Sequence, residues 1–174
     1  SCKNSWKKKS KIIWRVGIEE RCYENEYRKE QWHFEADLIV SRKWFKWAIL
    51  TLVDRKTRLP RMFKLKDKSS EYIMKHITKI KDEVWMKSVT FDNGMEFAKH
   101  YILSKHWIKT YFSDPYSPWQ KWSIENLNRM VRRSFPKGTN FDEVSEEKIR
   151  SICNYLANTP REILGFLTPN QVHF

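Results

Sequence analysis

The chain lacks the marks of several large protein classes. Its three cysteines, Cys2, Cys22 and Cys153, are widely scattered and form no C-x-x-C pair, so neither a disulfide framework nor a zinc knuckle is supported. Reduced thiols in a cytosolic compartment are the simplest reading. No apolar run reaches the length of a membrane span, and the lysine-rich, interrupted start does not suit a signal peptide. There are no internal repeats and no low-complexity segments. No Ser, Tyr or Cys sits in an organised nucleophile site. His33 and His106 have no H-x-x-H or C-x-x-C partner, which favours packing or solvent over metal ligation. Acidic residues are also in short supply, 21 against 34 Lys and Arg, and the resulting +13 points to a polyanionic partner, most often nucleic acid.

What is present is enough for one domain. At 174 residues, with 40% hydrophobic and 15% aromatic side chains, the chain can bury a real core, and disorder throughout is excluded. Ser1 in place of Met suggests a fragment or a processed chain. Residues 1–31 differ from the rest: Lys3, Lys7, Lys8, Lys9 and Lys11 crowd the start without an acid among them, and mixed charge follows from Glu19 to Glu30. We read a basic arm and linker with a short strand at Ile12–Val16 and no recognisable helix-turn-helix. The arm either touches phosphates or is a solvated tail.

From Trp32 to Val40 apolar and polar residues alternate, the period of a strand, with Asp37 in its middle on the face opposite the main apolar set. Aspartate is depleted in strands, so this one marks either a rigid site or an exposed face. Trp44–Val53 is nearly continuous apolar sequence, a strand buried on both faces. The turn D-R-K-T (Asp54–Thr57) leads into a third strand, Arg58–Lys66, whose Pro60 and cations suit an edge. Three strands with short connections make an antiparallel meander.

A helix capped by Ser69 or Ser70 follows, with Ile73, Ile77, Ile80 and Val84 on one face. A strand at Val89–Phe91 then delivers Asp92 into an Asn93–Gly94 turn. Next come a short helix near Glu96–Ser104, a strand at Thr110–Phe112 and a Pro-broken loop, Asp114–Trp122. A helix beginning near Ser123 carries Ile124, Leu127 and Val131 on an apolar stripe. Glu125, Asn128, Arg129, Arg132 and Arg133 lie off that stripe. This polar side is either a solvated surface or a place to hold a metal beside a phosphate backbone. A last long helix spans Glu146–Ala157, and Pro169 opens a short one. The order β-β-β-α-β-α-β-α-α predicts an α/β fold with a mixed five-stranded sheet.

Asp37, Asp92 and Glu125 stand out because metal-assisted phosphoryl transfer needs carboxylates supplied by separate rigid elements. If strands one and four are neighbours, Asp37 and Asp92 reach one ion and the helix adds Glu125 from the side. Asp54 and Asp114 fall in tight turns, where Asp is favoured for local hydrogen bonding. Glu35 shares a strand face with Asp37 and either assists electrostatically or is structural. Trp119 and Gln120 could contact a frayed base, and Trp119 could equally pack.

The blocks F-E-A-D-L-I-V, T-L-V-D-R-K-T-R, F-D-N-G-M-E-F-A, Y-F-S-D-P-Y-S-P-W-Q-K-W-S-I-E-N-L-N and N-T-P-R-E-I-L-G-F-L-T-P occur in that order. Together they resemble the bacterial insertion-sequence transposases of the IS-thirty family, within the D-D-E recombinase superfamily that includes retroviral integrase cores. The resemblance covers residues 32–174, and 32 residues separate Asp92 from Glu125, close to the superfamily spacing. It implies an RNase H-like fold with helices on both faces of the sheet, and an integrase-like catalytic core over 32–174. It implies Mg²⁺- or Mn²⁺-dependent DNA cleavage and strand transfer with two ions in the active complex. Asp37, Asp92 and Glu125 match the catalytic acids. Lys121, Asn128, Arg129, Arg132, Arg133, Trp119 and Gln120 are expected on the DNA track. Transposon ends and target DNA are the implied partners, with a homo-oligomer on paired ends, no membrane, and a cytoplasmic, nucleoid-associated location. Two departures stand out: Trp122 where the family usually has Gly, and the missing helix-turn-helix region. They leave a DNA-binding remnant that does not transpose as one alternative, and an RNase H-type nuclease as another.

Overall fold

The computed structural model describes residues 12–21, 29–41, 46–114 and 117–173. The basic cluster before Ile12, Cys2, Cys22 and the opening of the apolar run at Trp44 lie outside them. Five strands form one sheet: β1 (His33–Val40), β2 (Ala48–Asp54), β3 (Pro60–Leu65), β4 (Ser88–Phe91) and β5 (Lys109–Phe112). Their order is β3-β2-β1-β4-β5. The first three pair antiparallel, while β4 joins β1, and β5 joins β4, in parallel. The meander is therefore present, β3 is an edge as its proline requires, and the two strands expected to carry Asp37 and Asp92 are neighbours.

Alternation along the strands divides the interior in two. Phe34, Ala36, Leu50, Leu52, Leu65, Val89 and Phe91 point to one face and pack with Ile73, Met74, Ile77 and Ile80 of α1 (Ser70–Ile80). Phe97 stacks on Phe91 with ring centres 4.4 Å apart, and Leu103 of the short helix α2 (Tyr101–Ser104) closes the same layer. On the opposite face Ile39, Ile49, Val53 and Met62 meet Ile124, Leu127 and Val131 of α3 (Trp122–Ser134). Ile149, Ile152, Cys153 and Leu156 of α4 (Glu146–Ala157) complete this cluster. Every residue of β2 is buried, as a strand sandwiched between two helical layers must be. The chain ends in α5 (Pro169–His173). The architecture is α/β with helices on both faces, consistent with an RNase H-like fold.

One expected element is absent. Ile12–Val16 forms no strand: the segment makes a turn at Ile13–Trp14, and Gly17 makes a single parallel bridge to Phe112. Side-chain contacts hold it instead. Ile18 is buried, the Arg15 guanidinium donates to Asn93 Oδ1 and to the carbonyls of Phe112 and Ser113, and His100 Nε2 pairs with the Ile13 carbonyl. Short-range alternation cannot distinguish a strand from an extended segment fastened by its side chains.

Candidate active site

Parallel pairing sets the first two acids together. Glu35 lies beside Thr90 in the β1–β4 register, and continuing that register by two residues brings Asp37 level with Asp92. Parallel neighbours are about 4.8 Å apart with side chains on a common face, so both carboxylates rise from the sheet surface that α3 crosses.

Asp37 is fixed from both sides. Its Oδ1 accepts from the Leu38 amide at 2.8 Å, and its Oδ2 accepts from Asn128 Nδ2 at 2.8 Å. Asn128 is itself oriented by Thr51, whose hydroxyl donates to Asn128 Oδ1 at 2.8 Å and which sits opposite Asp37 in the β1–β2 register. Asp92 follows β4 and accepts from the Gly94 amide at 2.9 Å, a local turn that aims its carboxylate.

Glu125 stands in the first turn of α3, exposed, and its carboxylate accepts no hydrogen bond from the described residues. The position of that turn is decided by Glu35. This residue is 0% exposed, with Oε1 paired to Arg55 Nε at 3.1 Å and Oε2 accepting from the Ile124 amide at 2.8 Å. The residue before α3 is Lys121, which cannot cap a helix with its own side chain. A carboxylate delivered from β1 therefore does the capping, satisfying an amide and opposing the positive end of the helix dipole. Arg58, from the hairpin that also carries Arg55, donates to Ser123 Oγ and lies 5.7 Å over the Trp122 ring. Of the two roles open to Glu35, it fills the structural one.

The site has a distinct electrostatic signature. Burial pushes the Asp37 carboxyl above its usual range, with Lys121 opposing and Asp92 adding to the rise. Partial desolvation of the largely exposed Glu125 carboxyl also raises it, against Lys121 and with Glu35 and Asp37. Glu96 is raised first by burial and further by Asp92 and Asp37. Glu96, in the turn after Asp92, is the acid that sequence reasoning missed. Its signal was the F-D-N-G-M-E-F block, which holds it four residues beyond Asp92. Lys121 is only 6% exposed, and its charge acts on all three of these carboxyls.

Hard oxygen donors that destabilise one another suit a divalent cation, whose charge relieves the repulsion. As the side chains stand, no three His, Cys, Asp or Glu among the described residues are gathered closely enough to hold an ion. Glu125 is exposed, and no hydrogen bond from the described residues holds its carboxylate.

The expected DNA contacts divide into two groups. Trp119, Arg129 and Arg133 are exposed. Gln120 pins its loop by accepting from the Asp114 amide and donating to Asp114 Oδ2. Arg132 donates to the carbonyls of Val40, Phe135 and Pro136. Asn128 is spent on Asp37, and Lys121 is buried among the acids. His33 bonds Ser88 and Glu30, a packing role, and Asp54 binds the Lys56 and Thr57 amides of its own turn. No helix among the described residues is long and apolar enough to cross a membrane.

No protein-family model matches the chain. Among curated proteins it is similar to the transposase for insertion sequence element IS4351 of Bacteroides fragilis, 40% identical over 162 residues that make up 90% of this chain and 49% of that protein. Transposase InsI for insertion sequence element IS30C of Escherichia coli strain K12 is 35% identical over 160 residues, 89% of this chain and 41% of that protein. The transposase for insertion sequence element IS1086 of Cupriavidus metallidurans is 34% identical over 144 residues, 80% and 42% of the two chains. The chain spans about half the length, or less, of the curated relatives it matches.

Proposed function

We propose that this chain, a relative of the insertion-sequence transposases over nine-tenths of its length, is the D-D-E catalytic core of such an enzyme, cutting DNA at element ends and joining it to target DNA. One observation carries the reading: the parallel β1–β4 register sets Asp37 level with Asp92 on the face where α3 presents Glu125. These three carboxylates would hold the divalent ions, Mg²⁺ or Mn²⁺. When bound, such ions supply Lewis-acid activation of the attacking oxygen and neutralise charge on the phosphoryl group.

The chain's own residues prepare that chemistry. Asn128 and the Leu38 amide fix the Asp37 carboxylate, so one ligand is in place before an ion arrives. Glu35 holds the first turn of α3 against the sheet and sets the height of Glu125. Lys121 supplies positive charge among the acids and lowers the repulsion between them. Arg129 and Arg133 lie exposed farther along the helix that carries Glu125, where a DNA backbone running past the acids would meet them. The active assembly is a homo-oligomer that brings two element ends together.

The test is a strand-transfer assay on element-end DNA with Mg²⁺ or Mn²⁺, using the product of the whole gene. Joined products are expected from the wild type. Glu125→Gln should retain DNA binding and lose both cleavage and joining. Hydrolysis without joining would favour a nuclease of the same fold. Binding with neither reaction would favour a remnant that does not transpose.

A further inference from the structure

Six residues other than glycine adopt the left-handed backbone among those described, and four of them are tryptophan: Trp14 (φ 56°), Trp32 (φ 77°), Trp85 (φ 53°) and Trp107 (φ 62°). The other two are Arg58 and Phe166. A side chain on Cβ crowds the following carbonyl in this conformation, so glycine is its default occupant and a bulky residue is an outlier. The chain holds nine Trp and only four Gly. At average usage a chain of this length would hold roughly a dozen Gly.

At Trp85 and Trp107 the surrounding hydrogen bonds are those of glycine turns. After α2 the Ile108 amide donates to the Leu103 carbonyl and the Trp107 amide to the Ser104 carbonyl. After α1 the Met86 amide reaches back to the Lys81 carbonyl across Trp85. Both are Schellman-type helix endings, whose left-handed residue is usually glycine. Trp32 introduces β1, with its amide on Asp54 Oδ2 and its carbonyl receiving the Lys87 amide.

The indoles gain little packing: Trp14 meets Tyr101 edge-on, and half-buried Trp32 lies against Trp85 and His173. Trp14 and Trp85 are 71% exposed and Trp107 is 92% exposed, whereas tryptophan is on average highly buried. Trp47, absent from the left-handed set, behaves as a tryptophan should: it packs against the second core cluster with the Lys64 ammonium 4.2 Å from its ring centre.

One decoding difference exchanges these two residues and no others. The codon UGA is read as tryptophan in one reassigned genetic code and as glycine in another. We propose that positions 14, 32, 85 and 107 are glycine positions, and that the host of this gene inserts glycine there at UGA codons. The consequence for function is concrete. The aromatic surface beside β5, where Trp14 meets Tyr101 edge-on at 5.5 Å and Trp107 projects into solvent, would look like a platform for stacking bases. With glycine at 14 and 107 there is no platform, and nucleic acid is left to the acid-bearing face.

Three measurements test this. The gene should carry UGA at these four codons; UGG there overturns the proposal. Peptide masses of the protein made in its own host should show glycine at each; tryptophan overturns it. In the recombinant chain, a variant with Trp→Gly at 14, 32, 85 and 107 should melt higher, by about 2–4 °C per position, and W107G alone should show its share. W47G should melt lower. A quadruple variant that melts lower than its parent overturns the claim that these four are glycine positions.

Discussion

The two faces of the sheet use the same strands for opposite purposes. Toward α1, β1 and β2 present Phe34, Ala36, Leu50 and Leu52, and β4 presents Val89 and Phe91, all nearly inaccessible to solvent. Toward α3, the intervening residues of β1 and β2 include Glu35, Asp37 and Thr51 beside the apolar Ile39, Ile49 and Val53, and Thr90 is their neighbour on β4. The first face is dry and needs no partner chemistry. The second gathers charges that raise one another's pKa, tolerable only because Glu35 meets Arg55 and a helix amide and Lys121 lies nearby. Alternation at period two lets one strand be locked by apolar packing on one side while holding ionisable groups rigid on the other. The stability of the dry face is what keeps the acidic face in register.

The comparison can be broken from either side. Phe91→Ala should destabilise by about 3–5 kcal/mol in a denaturant titration, because the ring leaves a cavity beside Phe97 and Phe112. Glu35→Ala, on the other face, should cost a similar amount, about 3–5 kcal/mol, since it breaks a buried ion pair with Arg55 and removes the acceptor of the Ile124 amide. The two should differ in a second readout: Glu35→Ala frays α3 and weakens Mn²⁺ binding beyond its effect on folding.

A smaller effect is expected at Asn128. Asn128→Ala releases Asp37 Oδ2 and leaves the three proposed ligands in place, so Mn²⁺ affinity measured by calorimetry should fall about 10–100-fold with little loss of stability. Unchanged affinity would mean that Asp37 does not depend on its neighbour.

The pH dependence sharpens the contrast further. The folded state raises the Asp37 pKa above its ordinary 3.8, so the native chain binds the proton more tightly than the unfolded chain. Asp37 therefore opposes folding once it ionises. This penalty is absent below about pH 3.8, grows as pH rises through the raised folded value, and is complete above it. Without metal, Asp37→Asn should melt higher than the parent at neutral pH, and the gap should close on acidification. No core variant on the α1 face should show such a crossover.

The smallest effect concerns salt. Replacing Arg129 and Arg133 together by Ala should flatten the dependence of DNA affinity on salt, by about 0.9 in log–log slope for each phosphate that is no longer neutralised. Metal binding should be untouched. A full slope in the double variant would place the DNA elsewhere on the molecule.

The elements themselves are legible from short stretches. The last long helix spans Glu146–Ala157 as its apolar period predicts, and in the structure Ser145 Oγ caps it by accepting from the Lys148 amide. The meander and the two-sided burial of β2 follow from alternation, run length and Pro60. The three acids can be singled out because each breaks a local rule or falls at the end of an element. Their surroundings cannot. Glu35 caps a helix 89 residues away, and Asn128 reaches Asp37 across 91. Periodicity marks a face as polar, and only the packed sheet decides whether a polar residue there meets solvent, DNA or another side chain. Lys121, Asn128 and Arg132 read as part of a DNA track because a sequence shows only that a residue lies off the apolar stripe. The tertiary structure turns Lys121 and Asn128 toward the acids, since charges brought together at the β1–β4 junction must be neutralised or hydrogen-bonded where they are buried, and it spends Arg132 on the carbonyls of Val40, Phe135 and Pro136.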